Sequence, residues 1–154
     1  RIVNVTSRAG LTGQMGAAAY GTGKGGVYGF TNVVARDLAA FGIVVNAINP
    51  AAALTRMVTG SIERARERGL DEASANRMLS IAQDPRDVAV VVAYLCSREA
   101  GGVNGQFFFV QGGKVGLFEP ITLGQSVDKE GHWTPDELAS AISGLTIPEL
   151  DSLY

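Results

Sequence analysis

Apolar positions open the chain as a short β-branched run, Ile2, Val3 and Val5, which stops at Thr6-Ser7. A continuous run of this kind predicts a buried strand of a parallel sheet. Residues 8–16 hold three glycines and read as a loop. From about Ala17 to Phe41 the spacing changes: Tyr20, Lys24, Val27, Thr31, Val34 and Leu38 recur three or four apart, predicting a helix that Gly42 terminates. Ile43 to Ile48 predicts a second buried strand, closed by Asn49-Pro50. Residues 59–79 alternate charges with small apolar side chains, the pattern of a helical insertion with a solvated face. Asp84-Pro85-Arg86-Asp87 is a helix start, with Asp84 as cap and a proline in the first turn, and Val88, Val91, Val92 and Leu95 follow as its buried stripe. Gln106 to Gln111 predicts a third strand, stopped by Gly112-Gly113.

Strand, helix, strand, helix, strand is the rhythm of an α/β fold with a doubly wound parallel sheet. Residues 114–154 add a helical C-terminal tail with two capping sequences, Thr134-Pro135-Asp136-Glu137 and Thr146-Ile147-Pro148-Glu149. The chain begins at Arg1 and enters an apolar run at once, so a first half of the sheet is expected upstream.

Composition narrows the function classes. With 46% hydrophobic and 18% charged residues the chain can bury a core as a soluble globular domain. A net charge of −2 offers no basic footprint, which argues against nucleic acid and anionic membranes as partners. The longest apolar stretch, Val88 to Cys96, is too short to span a bilayer, and no charged-then-apolar leader is present. The single cysteine, Cys96, sits among apolar residues and predicts a buried structural thiol in a reducing, cytoplasmic setting. One histidine and one cysteine make no metal site.

The candidate chemistry lies on the first helix. Tyr20 and Lys24 are four apart, so both project from one face. A phenol alone keeps its proton at neutral pH, and a neighbouring ammonium stabilises the phenolate by charge attraction, which makes the pair a tuned acid/base. Such spacing arises often by chance, and by itself it fits plain helix-surface packing. Ser7 ends the preceding strand, where the carboxyl edge of an open α/β sheet borders its ligand crevice.

Taken in order, Ile2-Val3-Asn4-Val5-Thr6-Ser7, Ala9-Gly10, Tyr20, Lys24, Gly29-Phe30-Thr31, Gly42-Ile43 and Val45-Asn46-Ala47-Ile48-Asn49-Pro50 resemble the second half of a short-chain dehydrogenase/reductase. Thr55 and Asn104-Gly105-Gln106 extend the resemblance to about Gly113. It implies a Rossmann-like fold in which residues 1–113 are the catalytic half of a dehydrogenase domain. It also implies NAD or NADP as cofactor and interconversion of a secondary alcohol and a ketone. Tyr20 would move the hydroxyl proton, Lys24 would assist it and hold the nicotinamide ribose, and Ser7, with Gln14 nearby, would meet the substrate. Pro50, Ala51, Ala53 and Thr55 would meet the cofactor. A homodimer or homotetramer is implied, or pairing with a separate N-terminal half. The departures are Gly23 for a serine or alanine, Ala51 for a glycine and Gln111 for an aspartate. A weaker resemblance to the 3-hydroxyacyl-CoA dehydrogenase unit of multifunctional enzymes suggests hydroxyacyl thioesters as substrates, and residues 114–154 as an extension packed on the same domain or a neighbouring subunit. The alternative is a non-catalytic or half-catalytic subunit whose cofactor-binding half comes from another polypeptide.

Other features carry less. Gly21, Gly23 and Gly26 spell a dinucleotide-type motif but fall inside the predicted helix, not after a strand. Five glycines between Gly21 and Gly29 weaken that helix by about 1 kcal/mol each, which close packing against another helix would explain. His132 beside Trp133 reads as exposed or packing, and Arg56, Arg64, Arg66, Arg68 and Arg77 as a solvated face.

Overall fold

The computed structural model describes residues 1–148. Arg1–Phe118 and Glu119–Tyr154 form two compact units. In the first, strands β1 (Ile2–Val5), β2 (Val45–Pro50), β3 (Phe107–Gln111) and β4 (Lys114–Leu117) make one sheet in that order. β1, β2 and β3 are parallel, with Val5 opposite Ile48 and Asn49 opposite Phe109. Helix α1 (Ala18–Asp37) connects β1 to β2, and α2 (Arg56–Glu67), α3 (Glu72–Ser80) and α4 (Pro85–Cys96) connect β2 to β3.

Strand side chains alternate between faces, and the two faces take different helices. Ile48 and Val110 pack with Val91 and Leu95 of α4, supported by Val3 and Phe108. The opposite face carries Asn4, Thr6 and Phe107 against α1. Asn4 Nδ2 donates to Thr31 Oγ1 (2.9 Å), and the Phe107 ring lies 4.3 Å from that of Tyr28. Both faces are thus covered, as the doubly wound reading requires.

Caps explain several boundaries. Asp84 accepts from Arg86 N at the start of α4, and the Arg86 side chain bonded to it holds its carboxyl down at about 2. Gly42, in the left-handed conformation, ends a short 3-10 turn after α1 rather than α1 itself. β2 starts two residues later than its apolar run because its first amide is claimed from outside. Val45 N donates to Asn104 Oδ1 (2.8 Å), while Asn104 Nδ2 donates to Ala35 O (2.9 Å), tying strand to helix.

Three expectations are corrected. The insertion begins at Arg56 and is two helices, broken where Gly69 takes a φ of 99°. Gly112-Gly113 ends β3 as expected, but residues 114–117, read as part of a helical tail, form a strand: Gly112, at φ 54°, turns the chain back so that β4 pairs antiparallel with β3, Val110 opposite Val115. Cys96 is exposed, because the buried stripe of α4 runs through Val91 and Leu95 and the next residue lies about 100° round the helix.

In the second unit, Thr134 and Glu137 form the expected capping box at the start of α5 (Pro135–Ile142). Lys129 Nζ pairs with Glu137 (2.7 Å) and sits 5.7 Å from the Trp133 ring centroid, and His132 is exposed. The second capping sequence runs to Glu149, outside the described residues. No helix among the described residues is long and apolar enough to cross a membrane.

Candidate active site

All eight residues singled out from the sequence, Ser7, Gln14, Tyr20, Lys24, Pro50, Ala51, Ala53 and Thr55, line one cavity of about 540 Å³ at the carboxyl ends of β1 and β2. Val5, Met57, Val58, Pro85 and Val88 supply apolar wall. Such a crevice, largely apolar with a few convergent polar groups, suits a small ligand.

The first wall is built by β1 and α1. Lys24 Nζ donates to Val5 O (2.8 Å) and lies 5.9 Å from the Tyr20 ring centroid. The buried Thr6 hydroxyl donates to Lys24 O (2.9 Å), fixing that turn of helix against the strand end. Ser7 Oγ accepts from Ala9 N (3.3 Å), which leaves its hydroxyl proton free to be donated. Tyr20 is 53% exposed, so its phenol can meet a ligand.

The glycines of α1 divide into two sets. A Cβ on Gly21 would lie 2.8 Å from Ala9 O, and one on Gly25 would lie 3.2 Å from Gly10 O. Gly10 is tighter still, 2.3 Å from Gly25 N and 2.5 Å from the Lys24 carbonyl carbon. Gly10, Gly21 and Gly25 are therefore the points of close packing between α1 and the turn after β1. Gly23, Gly26 and Gly29 have open space around them. Because Gly21, Gly23 and Gly26 all lie within α1, their spacing forms no phosphate loop.

The second wall is the segment 51–55. Leu54 N donates to Gln83 O and Gln83 N to Ala52 O, both at 2.9 Å, as in a strand pair. In that arrangement Ala53's own N–H and C=O point the other way. A free donor and acceptor side by side suit a primary carboxamide, which is the group a nicotinamide would present. The cavity residues therefore fit that end of the cofactor. Thr55 caps α2, its Oγ1 accepting from Val58 N (3.4 Å).

Gln83 is the site-building residue that pattern reading misses. It is buried, and its side chain makes three bonds. Nε2 donates to Ala51 O (2.9 Å) and Val110 O (3.1 Å), and Oε1 accepts from Gly112 N (2.9 Å). One amide thus clasps the loop to the end of β3. The only sequence signal is a glutamine beside a helix cap. Gln83→Leu should lower stability by about 2 kcal/mol, since it strands Ala51 O and Gly112 N while Val110 O keeps its bond from Ala51 N, and should raise the KM for cofactor more than that for substrate. Chemical denaturation and steady-state kinetics check both parts.

Comparison with known proteins agrees with this geometry. A family model described as enoyl-(acyl carrier protein) reductase matches residues 1–114. The chain is 38% identical over 113 residues to 3-oxoacyl-(acyl-carrier-protein) reductase FabG of Vibrio cholerae, covering 73% of this chain and 45% of that protein. It is 34% identical over 145 residues to hydroxyacyl-CoA dehydrogenase ChsB1 of Mycobacterium tuberculosis, covering 92% of this chain and 43% of the relative. The crystal structure of a short chain dehydrogenase from Mycobacterium avium superposes with a TM-score of 0.70 at 30% identity, over 97% of this chain and 45% of that one. The chain thus spans under half the length of these relatives. With its parallel sheet, the Tyr20 and Lys24 helix and the Ser7 strand end, it belongs to the short-chain dehydrogenase/reductase family.

Proposed function

We propose that the chain carries the catalytic half of an NAD- or NADP-dependent oxidoreductase that interconverts a secondary alcohol and a ketone on 3-hydroxyacyl or 3-oxoacyl thioesters. The observation that carries this reading is the convergence of Tyr20, Lys24 and Ser7 on one cavity wall, facing the free backbone edge at Ala53. The two curated relatives support the substrate class, since the name of one refers to an acyl-carrier-protein thioester and that of the other to a coenzyme A thioester.

A bound nicotinamide cofactor supplies or takes the hydride. The chain's own residues place the substrate and move its proton. Ser7 Oγ donates to the substrate oxygen and orients it. Tyr20 gives its phenolic proton to that oxygen during reduction and takes it back during oxidation. Lys24, fixed by Val5 O, puts a positive charge beside the Tyr20 ring. Gln14 stands at the cavity edge as a further substrate contact.

The remainder of the cofactor needs a second half. β1 is an edge strand with Val5 exposed at its end, which supports pairing there with further sheet, supplied upstream or by a separate polypeptide. Phe30 and Val33, each 57% exposed on α1, support a homodimer or homotetramer. Residues 114–154 would extend the domain or reach a neighbouring subunit. A single unpaired Cys96 fits a reducing, cytoplasmic setting.

The test is reduction of 3-oxobutanoyl-CoA, with NADH and with NADPH, by residues 1–154 joined to the second half of the sheet, followed by loss of reduced cofactor. Turnover with at least one cofactor is expected, and none with either overturns the reading. The half-catalytic alternative is read from NADH fluorescence. Binding that appears only when residues 1–154 are combined with an upstream segment or partner polypeptide supports it, and binding by these residues alone refutes it.

A further inference from the structure

A second cavity, of about 280 Å³, adjoins the first and shares Ser7, Gln14 and Pro50–Ala52 with it. Its further walls include Arg8, Ile81, Phe109 and Gln111. Of the residues assigned to the cofactor, Lys24, Ala53 and Thr55 line the first cavity alone. A substrate whose reacting oxygen sits at Ser7 can therefore extend into the second cavity while the nicotinamide keeps to the first.

The charge of this space is one-sided. No aspartate or glutamate among the described residues lines either cavity, although the whole chain carries a net charge of −2. Arg8 is exposed, and among the described residues its guanidinium makes no hydrogen bond or ion pair. Several other arginines are engaged: Arg66 pairs with Glu72, Arg86 with Asp84, and Arg1 and Arg36 donate to carbonyl oxygens. A second cation stands beside two of the cavity walls. Lys114 is opposite Gln111 in the β3–β4 register, and its Nζ lies 6.0 Å from the centroid of the Phe109 ring. An unpaired guanidinium on a concave wall is a fork of donors that matches a carboxylate or a phosphate.

The place of the cavity selects between these anions. The phosphates of coenzyme A stand a whole pantetheine arm away from the thioester. This cavity begins at Ser7, which holds the C3 oxygen, so an anion placed here belongs to the acyl group itself. Ile81, 58% exposed, and the Phe109 ring offer apolar surface to the methylenes between. We propose that the second cavity is an anion subsite that takes the terminal carboxylate of a 3-oxo-dicarboxylic acyl thioester, with Arg8 as its donor and Lys114 adding charge at the rim. The proposal rests on the function given above.

The test uses residues 1–154 joined to the second half of the sheet, and N-acetylcysteamine thioesters, which carry no phosphate. The probes are the 3-oxohexanedioyl and 3-oxohexanoyl thioesters, equal in carbon number and differing by a carboxylate in place of the terminal methyl. The wild type should prefer the carboxylate probe in kcat/KM by about tenfold or more, the worth of a charge-assisted hydrogen bond. In Arg8→Gln that ratio should fall close to one, and Arg8→Lys, which keeps the charge, should recover part of it. A ratio of one in the wild type, or one unchanged in Arg8→Gln, overturns the proposal. So does a preference for coenzyme A over N-acetylcysteamine thioesters that disappears in Arg8→Gln, since Arg8 would then serve a phosphate. Calorimetric binding of the hexanedioyl and hexanoyl thioesters, which lack the 3-oxo group, separates the two levels. Tighter binding of the first keeps the subsite even where neither 3-oxo probe turns over, and equal or absent binding removes it.

Discussion

Tyr20→Phe should reduce turnover by about 10²–10⁴-fold, the range removed with a positioned general acid/base, and leave cofactor binding intact. The change deletes one oxygen from a half-exposed ring at the cavity mouth and disturbs no hydrogen bond that the fold uses. Stability should stay within about 0.5 kcal/mol, as for other surface substitutions. The discriminating pair of measurements is kcat and the fluorescence of bound NADH or NADPH. Loss of both together would place Tyr20 in cofactor binding alone, and retained turnover would remove it from the chemistry. Lys24→Met provides the companion experiment. It deletes the bond to Val5 O and the charge beside the ring, so turnover should fall.

The second large effect is expected from a residue with no functional group. Gly10→Ala places a carbon 2.3 Å from Gly25 N and 2.5 Å from the Lys24 carbonyl carbon, and neither is a flexible side-chain end that can swing away. The turn after β1 and the Lys24 segment of α1 must separate. Overpacking of this kind costs about 1–3 kcal/mol, and backbone against backbone belongs at the upper end. The separation also strains the Thr6 and Lys24 bonds to the helix and strand end, so kcat should fall with the melting temperature. Gly23→Ala is the control on the same helix. It meets open space and should raise stability by about 1 kcal/mol through helix propensity alone. A Gly10→Ala protein as stable and active as the wild type would mean that this contact does not position Lys24.

Much of the fold is legible along the chain because its signals are local. The β-branched run at Ile2–Val5, the period of α1, the Asp84-Pro85 start of α4 and the Thr134 capping box each depend on residues within one or two turns of one another. Where local signals mislead, a distant partner intervenes. Residues 114–117 look like part of a helical tail, yet they form β4 because β3 offers them an edge to pair with. Cys96 looks buried because its neighbours in sequence are apolar, whereas burial on a helix is set by angle.

By itself the sequence determined the order of β1, α1, β2, α4 and β3, the α/β class and the placement of Tyr20 and Lys24 on one helix face, since four residues are close to one turn whatever surrounds them. Only the tertiary structure decided that Lys24 is held by Val5 O, 19 residues away in the chain, and that Gln83 clasps the loop after β2 to β3 across 32 and 27 residues. It also decided that Asn49 is buried with its Nδ2 unpaired. These depend on strand register and on which side chains the long loops bring home, and neither leaves a periodic trace in the chain.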